Sequence, residues 1–163
     1  MKISISGHGQ AGKDTLGRWI RDNTSLKYTK STSAYVKTEM FEYMNRMGHG
    51  YRNEEDCYDD RINHRTAWAD FIDEFNRTDP AALYKRCLAD QDILTGLRRF
   101  REFQAVKDLK VIDLSIWVHR PGNLVDPTQG YGPDLCDVTI INDTISSFLA
   151  RAKRLFTALG VMK

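Results

Sequence analysis

Between Lys2 and Ser6 the isoleucines at 3 and 5 alternate with small serines and run into a cluster of glycines, the pattern of a short strand that ends at a turn. From Lys13 the period changes. Leu16, Trp19 and Ile20 fall at i, i+3 and i+4, which predicts a helix to about Asp22. Leu26 to Ser33 is polar and rich in hydroxyls, read as a short strand and loop, and Ala34 to Met47 has a helical composition closed by Gly48 and Gly50. His49 to Arg52 is a connection. Glu54 to Arg77 then reads as one long charged helix that turns Ile62, Ala69 and Ile72 toward a core, and Asp79-Pro80 opens another helix to about Ala89.

The second half alternates in the same way. Asp92 to Thr95 is a brief strand stopped by Gly96, and a helix follows through Phe100, Phe103 and Val106. Val111 to Val118 is the most apolar strand candidate, halted by His119-Arg120-Pro121-Gly122. Residues 123 to 133 hold two prolines and two glycines and are the best candidate for a mobile lid. Val138 to Ile141 is the last strand. The closing helix starts near Thr144, with Asp143 as its candidate N-cap, and carries Ile145, Phe148, Leu149, Ala152, Leu155, Phe156 and Leu159 on one stripe. Strands separated by helices predict an α/β fold whose parallel sheet is covered on both faces.

At 163 residues this is enough for one core, so a substrate-binding part has to be an insertion, about 34–90, or a lid, about 120–134. No apolar run approaches the roughly 20 residues that span a bilayer, so no membrane association is expected and the cytoplasm is the expected compartment. The cysteines at 57, 87 and 136 are odd in number, distant and in no C-x-x-C pair, which argues against a disulfide framework or a zinc site. A net charge of +2 permits a polyanionic partner without demanding one. Nothing in the pattern specifies an oligomeric state.

The chemistry concentrates at the first turn. Gly7-His8-Gly9-Gln10-Ala11-Gly12-Lys13-Asp14-Thr15 joins a strand to a helix. Glycines at 7, 9 and 12 let successive backbone N–H groups converge on one anion, and side chains there would block that approach. Lys13 adds a mobile charge for the outer phosphates, and the helix start adds its partial positive charge. This is the arrangement of a P-loop, so a P-loop NTPase-type three-layer α/β/α fold with ATP as ligand is expected. The usual Ser or Thr after the lysine is replaced by Asp14, a hard oxygen donor able to hold Mg2+ or to take a proton from an attacking hydroxyl, and Thr15 still offers a hydroxyl to phosphate or metal.

Further along, Arg61, His64, Arg65 and Trp68 fall at i, i+3, i+4 and i+7 of the long charged helix, a face suited to a phosphate and a stacked base. Arg98, Arg99 and Arg101 cluster just past the end of a strand, where open parallel sheets place their ligands. Arg98 and Arg99 are the candidates for phosphoryl or substrate contact, whereas Arg101 reads as the exposed side of a helix. Arg120, beside the candidate lid, is a further phosphate contact.

The loop Gly-x-x-x-x-Gly-Lys-Asp-Thr, as it stands at 7–15, resembles that of bacteriophage deoxynucleoside monophosphate kinases, and Val118 to Gly122 and Val138 to Asp143 look like the final third of those enzymes. The middle, with Tyr58-x-Asp60-Arg61-x-Asn63-His64-Arg65-x-x-Trp68 and Gly96-x-Arg98, resembles a group of phage P-loop proteins that includes kinases of 5-hydroxymethyluridine in DNA. The resemblance implies an ATP- and Mg2+-dependent kinase acting on a pyrimidine deoxynucleotide, with the hydroxymethyl group of 5-hydroxymethyluridine in DNA as the preferred acceptor. A soluble deoxynucleoside monophosphate kinase, with a free deoxynucleotide as acceptor, and a non-catalytic nucleotide-binding module are the alternatives. In that scheme Lys13 and the loop hold the donor, Asp14 serves metal or proton, and Arg61, His64, Arg65 and Arg98 position acceptor and phosphates. Two departures stand out: Thr95-Gly96 occupies the strand end where familiar nucleotide kinases carry an acidic residue, and the short chain favours an open acceptor site.

Overall fold

The computed structural model describes residues 1–163. Its strands are β1 (Ile3–Ser6), β2 (Ile93–Thr95), β3 (Leu114–His119) and β4 (Val138–Ile141), all parallel, in the spatial order β2-β1-β3-β4. The helices are α1 (Lys13–Asn23), α2 (Thr32–Tyr35), α3 (Lys37–Arg46), α4 (Glu54–Asp59), α5 (Arg65–Phe75), α6 (Ala82–Asp90), α7 (Phe100–Asp108) and α8 (Ile145–Ala158).

Alternation along the strands builds two cores. Ile3 and Ile5 of β1, Ile93 of β2, Ile116 and Val118 of β3 and Ile140 of β4 join Leu16 and Ile20 of α1 with Phe148, Ala152 and Phe156 of α8 on one face. Leu94 and Trp117 point the other way, into a larger cluster with Met40, Met44, Trp68, Ile72, Tyr84, Phe103 and Val106 from the remaining helices. Apolar burial on both faces is what a fully covered parallel sheet requires. The result is the expected three-layer α/β/α architecture, and the sheet is wholly parallel. No helix is long and apolar enough to cross a membrane.

Four local expectations change. The long helix read over Glu54 to Arg77 is broken: α4 ends at Asp59, a 3-10 turn spans Asp60–Ile62, and α5 starts only at Arg65. The break is held by side chains that compete with helical hydrogen bonding, since Asp60 accepts from Tyr51 Oη at 2.5 Å and from Asn63 Nδ2 at 2.6 Å. Leu26 to Ser33 forms no strand; the amide of Lys27 is satisfied by Asp92 and those of Thr29 and Lys30 by the Gln91 side chain. The third strand begins at Leu114 rather than Val111. The N-cap of α8 is Thr144, whose side chain accepts from the Ser147 amide at 3.2 Å, while Asp143 binds Arg151.

Candidate phosphate and acceptor site

The loop between β1 and α1 lies at the carboxyl edge of the sheet, with Gly96 after β2, Arg120 after β3 and Asn142 after β4 along the same edge. That edge is where doubly wound sheets place ligands. Two glycines hold left-handed backbone here, and at Gly7 a side chain would also meet fixed backbone. Gly7 has φ +143°, and a Cβ on it would meet the Val118 carbonyl oxygen at 2.4 Å; Gly12 has φ +106°, with the Asn142 amide at 2.5 Å from the same imagined atom.

The loop keeps most of its backbone donors unpaired. Among the amides from Gly9 to Thr15 only that of Ala11 has a partner in the protein, the His8 carbonyl at 3.3 Å. The others, including the first-turn amides of α1, are oriented donors without acceptors, and Gly12 and Asp14 occupy its N-cap and first turn. Such a nest attracts a polyanion through both hydrogen bonds and the helix dipole. The loop carbonyls are held from behind: Asn123 donates to the Gly9 oxygen at 2.6 Å, Asn142 to that of Ala11 at 2.8 Å and Arg120 to that of Gln10 at 3.3 Å. Lys13 Nζ donates to the Gly7 and His8 carbonyls at 2.8 and 2.7 Å. Burial, reinforced by the nearby Arg98, lowers the Lys13 ammonium from its usual range to about 8.

A cavity of about 370 Å³ opens from this loop. Gly9, Gln10, Lys13 and Asp14 form its floor at the loop, Thr95, Gly96 and Arg98 come from the end of β2, and Arg61, Arg65 and Trp68 come from the broken helical segment. Its size is that of a small-ligand site. Asp14 Oδ1 accepts from Tyr28 Oη at 2.9 Å and from Thr95 Oγ1 at 3.0 Å, leaving Oδ2 outside any bond in the protein. Burial next to this carboxylate pushes the Tyr28 hydroxyl well above its usual range, so it stays a donor. Asp14 and the Thr95 hydroxyl are a hard-oxygen pair that fits Mg2+, an ion commonly held by one or two carboxylates together with substrate phosphates.

Several sequence candidates stand elsewhere. The helix break turns His64 away from the cavity, onto Asp60 at 3.1 Å and against the rings of His49 and Tyr51. It therefore does not share a face with Arg61, Arg65 and Trp68. Arg99 is paired with Asp73 at 2.7 Å on a different surface. Thr15 is half-buried and does not line the cavity, and His8 acts inside the fold, its Nδ1 accepting from the Asp126 amide at 3.2 Å and its ring meeting Trp117 edge-on. Arg101 donates to the Arg77 carbonyl on the surface, as its exposed reading implied.

Asp126 carries no signal in the sequence. Its side chain is 2% exposed, and one oxygen accepts from Arg65 at 2.7 Å and from Arg98 at 2.6 Å while the other accepts from Thr128. Burial pushes its carboxyl up, but bonds from Thr128 and the Arg98 guanidinium outweigh burial and hold it well below the usual carboxylate range. The segment read as a lid is thus fastened in this state, with Thr128 and Tyr131 also buried and Leu124 and Val125 exposed at its tip. Ser31, Ser33 and Asp59 also line the cavity without a signal in the sequence.

No family model matches the chain, and no curated protein matches it. Among solved structures it is similar to the unliganded crystal structure of a sugar kinase from Janibacter sp. HTCC2649, at 16% identity over 98% of this chain and 94% of that chain, with a TM-score of 0.51. At that identity the likeness establishes the fold alone, a three-layer α/β/α sandwich around a parallel sheet.

Proposed function

We propose that this protein is an ATP- and Mg2+-dependent phosphotransferase that acts on a pyrimidine deoxynucleotide in bacteriophage DNA metabolism, with the 5-hydroxymethyl group of 5-hydroxymethyluridine in DNA as its acceptor. One observation carries the reading: a row of loop amides and first-turn helix amides, unpaired within the protein, backed by Lys13 and opening on a cavity lined by Arg61, Arg65 and Arg98. The fold neighbour, a sugar kinase, supports phosphotransfer in general.

In this scheme the loop amides and Lys13 hold the β- and γ-phosphates of ATP. Asp14 and Thr95 hold Mg2+, which when bound offsets the charge of those phosphates. Arg98 and Arg65 lie beside the loop, where guanidinium groups stabilise charge on a transferring phosphoryl group. A base that reaches this cavity from DNA has to be single-stranded or flipped from the duplex, at a cost of a few kcal/mol.

The test is transfer from ATP labelled at the γ-phosphate, offered DNA containing 5-hydroxymethyluridine and each free deoxynucleoside monophosphate. Label in the polymer is the expected result. Label only in a free nucleotide identifies a monophosphate kinase, and binding of ATP without transfer to anything identifies a nucleotide-binding module.

A further inference from the structure

Two carboxylates line the cavity, those of Asp14 and Asp59, and only the second is unengaged by the protein. Asp59, at the end of α4, lines the cavity and has no hydrogen bond or ion pair, whereas every arginine there is engaged. Arg61 donates to the Tyr58 carbonyl at 2.7 Å with its guanidinium 3.9 Å over the Tyr58 ring, and Arg65 and Arg98 share Asp126. The same cavity is lined by the hydroxyls of Ser31 and Ser33, which lie 3.1 Å apart, with Ser31 bonded to Tyr58 Oη at 3.0 Å. Asp14 is different, since its Oδ1 is already tied to Tyr28 and Thr95 at the loop.

A carboxylate that no side chain of the protein engages accepts a hydrogen bond from an alcohol, and adds a like charge against a phosphate monoester. We infer that Asp59 is the catalytic base of the transfer and that the acceptor is an uncharged primary hydroxyl rather than a phosphate oxygen, with Asp14 confined to the donor side. This rests on the phosphotransfer reading given above. As the acceptor oxygen bonds to the γ-phosphorus of the nucleoside triphosphate, its proton passes to an Asp59 oxygen. The bond from the γ-phosphorus to the β–γ bridging oxygen breaks, and the electron pair leaves with the nucleoside diphosphate. A phosphate acceptor is already ionised and needs no such base.

Asp59 is exposed at a helix end, so Asp59→Asn is compatible with folding. The variant is compared with the intact chain on an oligonucleotide containing 5-hydroxymethyluridine and on thymidine monophosphate, and ATP binding is followed by calorimetry. The expected result is a fall of about 10²- to 10⁴-fold in kcat on the oligonucleotide with the affinity for ATP unchanged, the range of a lost general base. Unchanged kcat overturns the assignment, and so does a parallel loss of ATP affinity, which marks a role in the fold or at the donor. Transfer by the intact chain to thymidine monophosphate alone overturns the alcohol acceptor while leaving phosphotransfer standing. An intact chain that binds ATP and phosphorylates neither acceptor overturns the phosphotransfer reading itself.

Discussion

Replacing Asp126 with Asn tests whether the 123 to 133 segment is held by charge. The substitution preserves shape, and Oδ1 can still accept from Thr128, but the atom facing Arg65 and Arg98 becomes an NH2 donor against two donors. Removing one partner of a fully buried pair costs about 3–5 kcal/mol. Here the guanidiniums are 34% and 28% exposed and can rehydrate, which brings the figure to about 2 kcal/mol. With a urea slope of about 2 kcal/mol per molar, the unfolding midpoint should fall by about 1 M. The sign of the pH dependence follows from the lowered carboxyl. Its contribution is complete above the unfolded value of about 3.9 and is lost as pH falls toward the folded value, so the gap between the two proteins should narrow in acid. A midpoint unchanged at pH 7, or a gap that persists undiminished in acid, refutes the argument.

Three further outcomes are expected. Lys13, lowered to about 8 by burial, should regain its proton when phosphates bind. ATP binding at pH 8.5 should therefore take up protons, seen as a heat that varies with buffer ionisation enthalpy, and the uptake should shrink toward pH 7.5, still above the range in which the ATP phosphates titrate. Gly7→Ala meets a backbone carbonyl and should cost about 3 kcal/mol or more, a fall of roughly 6 °C or greater in Tm, whereas Gly50→Ala, with open space around it, should cost about 1 kcal/mol. Equal shifts in the two would contradict the packing described. Thr95→Val removes a hydroxyl that binds Asp14, and should raise the Mg2+ concentration for half-maximal enhancement of ATP binding by about 10- to 100-fold; an unaltered Mg2+ requirement would place the ion elsewhere.

The residues that were legible in the sequence are those whose reasons are local. The loop from Gly7 to Lys13, α1 and α8 are written in glycine spacing and in periods of three to four, and physics within a few residues decides them. The helix break at Asp60 depends on Tyr51, nine residues earlier, and hides inside a charged run that periodicity reads as continuous. It alone separates His64 from Arg61 and Arg65. Lys27, Thr29 and Lys30 look strand-like because the residues that satisfy their amides, Gln91 and Asp92, are more than sixty positions away. Asp126 was silent for the same reason: its arginines are separated from it by 61 and 28 residues, and only folding brings them together.

In the proposed scheme Asp126 also joins the parts of the molecule assigned to the two ligands. Its amide holds His8 in the phosphate loop, while its carboxylate holds Arg65 of α5 and Arg98 after β2. A ligand that draws either arginine away from this hub changes the work required of the next one, so donor and acceptor occupancy form a thermodynamic cycle. Reciprocity then requires that whatever factor ATP imposes on acceptor affinity, the acceptor imposes on ATP, irrespective of which arrives first.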